Sequence, residues 1–301
     1  MCCLLLPVSA SLAFRSVTSS ALVGHAIPQA RSDPAPANAR VLALFIDHSG
    51  RLVAGPSKGD LLVKLGGKPA QVEETQSLRN QPLIFSVVVD ESGSTRDSAD
   101  LQTNAAIRLF CALSTGSNRG FLVEFNEDIY ASDQFVDAST AEQQLRKAPH
   151  RGSTKLYDAL IAAATRQSQS NSVPPNSRHA IFAFSDGQDN SSMRSLLQAV
   201  NILQRAGTPV YPIKLLWNQE SRRSNKQSSE ALIKLSESTG GQVVLPKDAN
   251  GLLDQMPSIL EGQYLITFMT AGLKSNKAYS FKISLPGKDV QALAQSEYIA
   301  P

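Results

Sequence analysis

The stretch Val87-Val88-Val89-Asp90-Glu91-Ser92-Gly93-Ser94 decides how the rest of the chain is read. An apolar run of β-branched residues ends abruptly in an acid, two hydroxyls and a glycine, and a polar, helix-forming stretch follows. A buried parallel strand delivers oxygen atoms to the edge of a sheet in this way. One carboxylate and two hydroxyls at two-residue spacing form half a site for a hard cation, so the other half must come from elsewhere.

Working outward, the pattern from Pro82 to Gly262 alternates strands with helices. Leu83–Val89 opens it, and Leu101, Ala105, Leu109 and Leu113 recur at helical spacing through 99–113. Strands are expected at 120–125, at a short edge piece within 129–135, at 180–184, 210–216 and 242–245. Helices are expected at 141–147, from 156 onward, at 193–206, 230–238 and 252–260. Ala180-Ile181-Phe182-Ala183-Phe184 is wholly apolar, as suits a strand covered on both faces. This alternation predicts an α/β fold, with a doubly wound, mostly parallel central sheet and helices on both faces. The flanks read as β: short pieces at 41–47, 51–53 and 61–65 precede the α/β unit, and 264–268, 279–285 and a piece near Val290 follow it. Segments this short bury little alone, so the two ends are expected to meet in one small β region. The expected organisation is therefore an export signal and linker over 1–38, a β segment over 39–80, the α/β domain over 82–262 and a β segment over 263–301.

Composition narrows the function classes. At 301 residues with 42% hydrophobic and 18% charged residues, the chain is globular, and its net charge of +3, without a basic block, does not point to nucleic acid. Cys2, Cys3 and Cys111 form no disulfide framework or zinc pattern, and Cys111 is expected as a buried thiol. Leu4-Leu5-Leu6-Pro7-Val8 through Leu12-Ala13-Phe14 has the length of a secretory core, although no Lys or Arg precedes it. No later segment approaches the roughly 20 apolar residues of a membrane span. An extracytoplasmic protein is expected.

The other half of the cation site has two candidate sources. Gly152-Ser153-Thr154 places a hydroxyl just ahead of a helix, and Ser185-Asp186-Gly187-Gln188-Asp189 begins where the apolar strand at 180–184 ends. Ligands of open α/β sheets collect beyond the strand carboxyl ends where the strand order reverses, and there Asp90, Ser92, Ser94, Thr154 and Asp186 would converge. Each residue also has a duller role. Asp90, Ser94 and Thr154 suit helix caps, and Asp186-Gly187 suits a turn.

In this order and spacing the residues resemble the von Willebrand factor A family, whose metal-ion-dependent adhesion site reads Asp-x-Ser-x-Ser, then Thr, then Asp at a later strand end. Here those are Asp90-Glu91-Ser92-Gly93-Ser94, Thr154 and Asp186. The resemblance covers 83–260, and the β flanks look like those of bacterial exported proteins related to A domains. It implies a divalent ion held by Asp90, Ser92, Ser94, Thr154 and Asp186, some through water, leaving a position for a carboxylate from an Asp or Glu of a protein partner. All five are oxygen donors without His or Cys, which suits Mg²⁺, with Mn²⁺ or Ca²⁺ as alternatives, and argues against zinc. Asp189 and Asn190 are candidates for orienting Asp186 or for capping a helix near Met193. Trp217, Arg222 and Arg223 are candidate partner contacts. The resulting expectation is a non-enzymatic, metal-dependent adhesion or assembly module. The alternatives are an intracellular accessory subunit of a chelatase-like complex, or a metal-dependent phosphotransferase or hydrolase. For those enzymes the sequence offers neither a Walker loop nor a phosphate-clamping cation in the motif.

Overall fold

The computed structural model describes residues 38–300 apart from 50, 54, 175–176, 215–221 and 247–248, with backbone alone at 222–225, 249 and 257–258. In chain order the elements are β1 (Asn38–Asp47), β2 (Leu62–Leu65), β3 (Lys68–Ala70), β4 (Val72–Ser77), β5 (Leu83–Asp90), α1 (Ala99–Leu113), β6 (Arg119–Phe125), β7 (Ile129–Ala131), α2 (Ala138–Leu145) and α3 (Leu156–Gln169). There follow β8 (Arg178–Phe184), α4 (Leu196–Arg205), β9 (Val210–Ile213), α5 (Arg222–Thr239), α6 (Ala249–Glu261), β10 (Gln263–Met269), β11 (Ala278–Ser284), β12 (Val290–Ala294) and β13 (Glu297–Ile299).

The central sheet has the order β7-β6-β5-β8-β9. Its β6, β5, β8 and β9 run parallel, while the short edge strand β7 is antiparallel to β6, so the sheet is mixed rather than purely parallel. All eight residues of β5 are buried, as a central strand covered on both faces requires. Alternate residues divide between two cores. Phe85, Val87 and Val89 join α1, α2 and α6 on one face, and Val88 joins α3, α4 and α5 on the other. The strand order reverses between β5 and β8, where Val89 pairs with Phe184. The residues just past these strands therefore lie side by side.

Strands from the two ends of the chain pair with one another. One sheet has the order β12-β1-β10-β4 and the other β13-β11-β2-β3, and Val41, Phe45, Val63, Ile266, Phe268, Phe281 and Ile283 form their common core. Two sheets sharing one apolar layer form a sandwich, where the sequence led us to expect a single small sheet. The outward residue Leu44 of β1 joins the core shared by α1 and α6, which fixes the sandwich to the α/β unit. Arg178 donates to the Leu260 carbonyl at the end of α6, and Gln263 at the start of β10 donates to the Tyr211 hydroxyl.

Several boundaries differ from the sequence reading for local reasons. α4 starts at Leu196 rather than Met193, because Ser195 caps it in a reciprocal box with Gln198. The expected strand at 242–245 is a single bridge between Val244 and Ile213. α2 starts earlier than expected because Asp137 accepts from Thr140 N. Cys111 is exposed, not buried, since it falls between the inward positions Phe110 and Leu113 of α1. The expected export signal and linker lie outside the described residues. Among the described residues, no helix is long and apolar enough to cross a membrane.

Candidate metal centre

Three loops meet beyond β5 and β8, and each is tied to its neighbours by hydrogen bonds. After β5 the chain enters a short 3₁₀ turn over Gly93–Ser98. Glu91 N donates to the Phe125 carbonyl at 2.8 Å, and Gly93 N donates to the Gly152 carbonyl at 3.1 Å. These bonds join the first loop to β6 and to the loop before α3. Asn190 then locks that loop to the one after β8: Thr154 N donates to Asn190 Oδ1 at 2.8 Å, and Asn190 N and Ser191 N both donate to the Thr154 carbonyl at 3.1 Å. Thr154 is 2% exposed and stands one residue before the N-cap of α3, which is Lys155.

Asp90 sits at the centre of this arrangement with no exposed surface. Its Oδ1 accepts from Ser92 N at 3.0 Å and its Oδ2 from Ser185 Oγ at 2.6 Å. Its carbonyl accepts from Gln102 Nε2 at 2.5 Å and from Thr95 Oγ1 at 3.0 Å, which fixes the peptide from α1 and the 3₁₀ turn. The Ser92 and Ser94 hydroxyls lie 3.1 Å apart. Ser92 is buried, whereas Ser94 is exposed and Asp186 half-buried, so the oxygen set runs from the interior out to solvent.

The electrostatics point the same way. Burial pushes the Asp90 carboxyl up to about 6 and the Asp186 charge adds to this, while bonds from Ser185 and Ser92 oppose it. Among the described residues no ion pair reaches Asp90 or Asp186. A buried carboxylate without a cationic partner is costly unless something supplies the missing positive charge. The next residue, Glu91, is held well above the usual carboxylate range by burial and by the neighbouring Glu124. One of that pair therefore keeps a proton at neutral pH.

Two glycines make the loop geometry possible. Gly152 (φ +83°) lies where a Cβ would come 2.5 Å from Glu127 Oε2. At Gly187 (φ +87°) a Cβ would meet the Ser228 carbonyl at 2.5 Å. A side chain at either position would be strained by the backbone, and at Gly187 it would also collide with the Ser228 carbonyl.

Placed against the sequence reading, Asp90, Ser92 and Ser94 share one loop, and Thr154 and Asp186 stand on the two loops bound to it. Asp186 takes its hydrogen bonds from Gln188 N at 2.8 Å and Gln188 Nε2 at 3.0 Å. Asp189 does not orient Asp186. Its Oδ2 accepts from Tyr157 N at 2.9 Å and Ser192 Oγ at 2.5 Å, so it fixes the start of α3. Trp217 lies outside the described residues, and Arg222 and Arg223 are described only as the helical backbone that opens α5. Ser185 and Gln102 were missed in the sequence, and Asn190, a candidate for orienting Asp186, instead holds the Thr154 peptide. Ser185 was legible in principle, because pairing Val89 with Phe184 puts the next residues, Asp90 and Ser185, together.

Such a set can take a hard divalent cation. It offers two carboxylates and three hydroxyls, and among the described residues no cation pairs with the buried carboxylate. Among the described residues, no group of three or more His, Cys, Asp or Glu side chains gathers that could hold a metal ion, so this set depends on its hydroxyls.

No protein-family model and no curated protein matches the chain. Among solved structures it is similar to a von Willebrand factor type A protein from Catenulispora acidiphila, with 13% identity over 88% of this chain and 72% of that one and a TM-score of 0.45. An aerotolerance-related membrane protein from Bacteroides fragilis NCTC 9343, carrying multiple mutations to serine, matches with 13% identity over 59% of this chain and 98% of that one, at a TM-score of 0.44. The pilus adhesin SpaC from Lactobacillus rhamnosus GG matches with 10% identity over 82% of this chain, which spans 48% of the adhesin, at a TM-score of 0.46. At these scores the functional reading rests on the chain's own residues.

Proposed function

We propose that this chain is a metal-ion-dependent protein-binding module of the A-domain type, acting outside the cytoplasm in adhesion or assembly. One observation carries the reading: the fully buried Asp90 carboxylate has no cationic partner among the described residues and adjoins two hydroxyls 3.1 Å apart on its own loop. Asp90, Ser92, Ser94, Thr154 and Asp186 would hold Mg²⁺, with Mn²⁺ or Ca²⁺ as substitutes. Bound there, such an ion supplies a Lewis-acidic position that a carboxylate from a partner protein can fill.

The chain's own residues prepare that position. Ser185 and Ser92 N orient the Asp90 carboxylate, Asn190 holds the Thr154 peptide, and Gln188 turns Asp186. Two carboxylates only offset the charge of a divalent ion, and three weak neutral hydroxyls would leave it electrophilic with coordination positions open, which favours an incoming anionic oxygen. A binding role fits these residues better than catalysis. His179 hydrogen-bonds Gln167 near the start of β8, at the opposite edge of the sheet, and His150 is turned into the fold near Thr95.

The test is thermal unfolding with and without Mg²⁺, joined to retention of the protein on carboxylate-bearing and amide-bearing peptide resins. The reading expects a Mg²⁺-dependent rise in melting temperature and retention on the carboxylate resin alone, lost in EDTA. Equal retention in EDTA would rule out the mechanism.

A further inference from the structure

The segment after Asp186 carries a feature that metal binding does not require. Met193 is 85% exposed and Leu197 61% exposed, the two most exposed large hydrophobic side chains among the described residues. Isolated surface hydrophobes are common and call for no explanation. These two differ because the backbone that presents them is held at several points. Met193 N donates to Asp158 Oδ2 at 2.7 Å, and Arg194 N donates to Asp158 Oδ1 at 3.2 Å. Ser192, one residue earlier, is held by Asp189, and Ser195 caps α4 just ahead of Leu197. A mobile loop could fold its apolar side chains back onto the protein, but this one is pinned with them in water.

The position of this segment matters equally. Met193 follows by two residues Ser191, whose N–H donates to the Thr154 carbonyl, and Asp158 lies one turn into the helix that Thr154 precedes. α3 and α4 run back from the sheet edge where β5 and β8 end, so their N-termini stand at the edge that carries Asp90 and Asp186. Met193 and Leu197 therefore form an apolar rim on the Thr154–Asp186 side of the candidate metal centre.

We infer that this rim selects the partner: the segment captured is one whose metal-binding Asp or Glu stands next to a large aliphatic or aromatic side chain, which Met193 and Leu197 cover. The inference rests on the metal-dependent reading above. An ion with an open position recognises any accessible carboxylate, so discrimination must come from contacts beside it. A pre-ordered apolar pair provides this at little ordering cost, and the flexible thioether of Met193 adapts to the shape of the neighbour.

The probe is an array of acetylated nonapeptides, each with a single Asp or Glu flanked in turn by every residue type. It is read with the full chain in Mg²⁺ and in EDTA, against Met193→Ser/Leu197→Ser. Both substitutions are at exposed positions and remove no core packing. Wild type should retain peptides with Leu, Ile, Met or Phe beside the acid, in Mg²⁺ only. The double variant should hold them about 10-fold more weakly, since the two lost apolar contacts together remove on the order of two methylenes of burial. Its Mg²⁺-induced rise in melting temperature should equal that of wild type. Equal retention by both proteins, or retention indifferent to the neighbouring residue, overturns the inference. So does a wild-type chain that Mg²⁺ stabilises but that holds none of these peptides, an outcome that leaves the metal reading standing. If Mg²⁺ does not stabilise wild type, the metal reading fails and the rim inference falls with it.

Discussion

The two edges of the central sheet treat buried polar groups in opposite ways. Toward the edge where the strands begin, Gln167 Nε2 donates to Ser86 Oγ at 2.8 Å and to the Ala180 carbonyl at 2.9 Å, and its Oε1 faces His179 Nδ1 at 2.9 Å. Burial pushes the His179 pKa down, so that network is neutral and its partners match. At the far edge, Asp90 is equally buried and well supplied with donors, yet among the described residues no cation pairs with it and a second carboxylate stands nearby. Both clusters hold loops and strands together, but only one lacks something that a bound ion would provide. Burial of polar residues alone does not mark a site; burial with a missing counter-charge does.

The sharpest way to break this contrast is Asp90→Ala, which should remove all Mg²⁺-dependent stabilisation; at an ion concentration about 100 times the dissociation constant, wild type would gain about 2.7 kcal/mol. A pH series gives the next effect. The Asp90 carboxyl sits at about 6 in the fold against an ordinary 3.8. Between those values the native state holds a proton that the unfolded chain has released, so metal-free stability should fall as pH rises through that window. This group's share is on the order of 3 kcal/mol. The ion must displace that proton, so the Mg²⁺-induced gain should shrink as pH drops from 7 through 6. A metal effect that grows on acidification would contradict the assignment of Asp90.

At the opposite edge, Gln167→Ala should cost about 2–3 kcal/mol by stranding Ser86 and the Ala180 carbonyl, and should leave the Mg²⁺ response intact. Denaturant titration in Mg²⁺ and in EDTA would show whether the two clusters are as separate as their chemistry suggests. Asn190→Ala acts through the Thr154 backbone and should weaken Mg²⁺ binding by about 10- to 100-fold, while the Thr154 N–H it leaves unpaired costs about 1–2 kcal/mol of metal-free stability. The smallest effect belongs to the sandwich contact between Lys234 and Glu297, 3.1 Å apart and solvent-exposed on both sides. Glu297→Gln should change stability by under about 1 kcal/mol.

Much of this was legible in the chain because the strong signals were local. β5 closes with the apolar run Val87–Val89 followed at once by Asp90, and β8 closes with Ala180–Phe184 followed by Ser185 and then Asp186, so the pairing of Asp90 with the Ser185-Asp186 loop follows from parallel register. The roles of Asp189 and Asn190 were not legible. They depend on which of two adjacent side chains reaches across to the α3 loop, and a capping residue serving a helix 32 positions away has no sequence period to reveal it. The sandwich was half legible. Alternating patterns at both ends gave strands, but whether they form one sheet or two depends on tertiary pairing, such as β2 with β11. Cys111 was misjudged because an apolar stripe on a helix spans only part of its circumference.

The central claim is that the Asp90 edge is a cation site awaiting a partner carboxylate. Its most direct test is the melting temperature of the wild-type chain at neutral pH in EDTA and in excess Mg²⁺, with Asp90→Ala alongside. The account predicts a clear rise with Mg²⁺ in wild type and none in the variant. The same melting temperature in both conditions for wild type would contradict it.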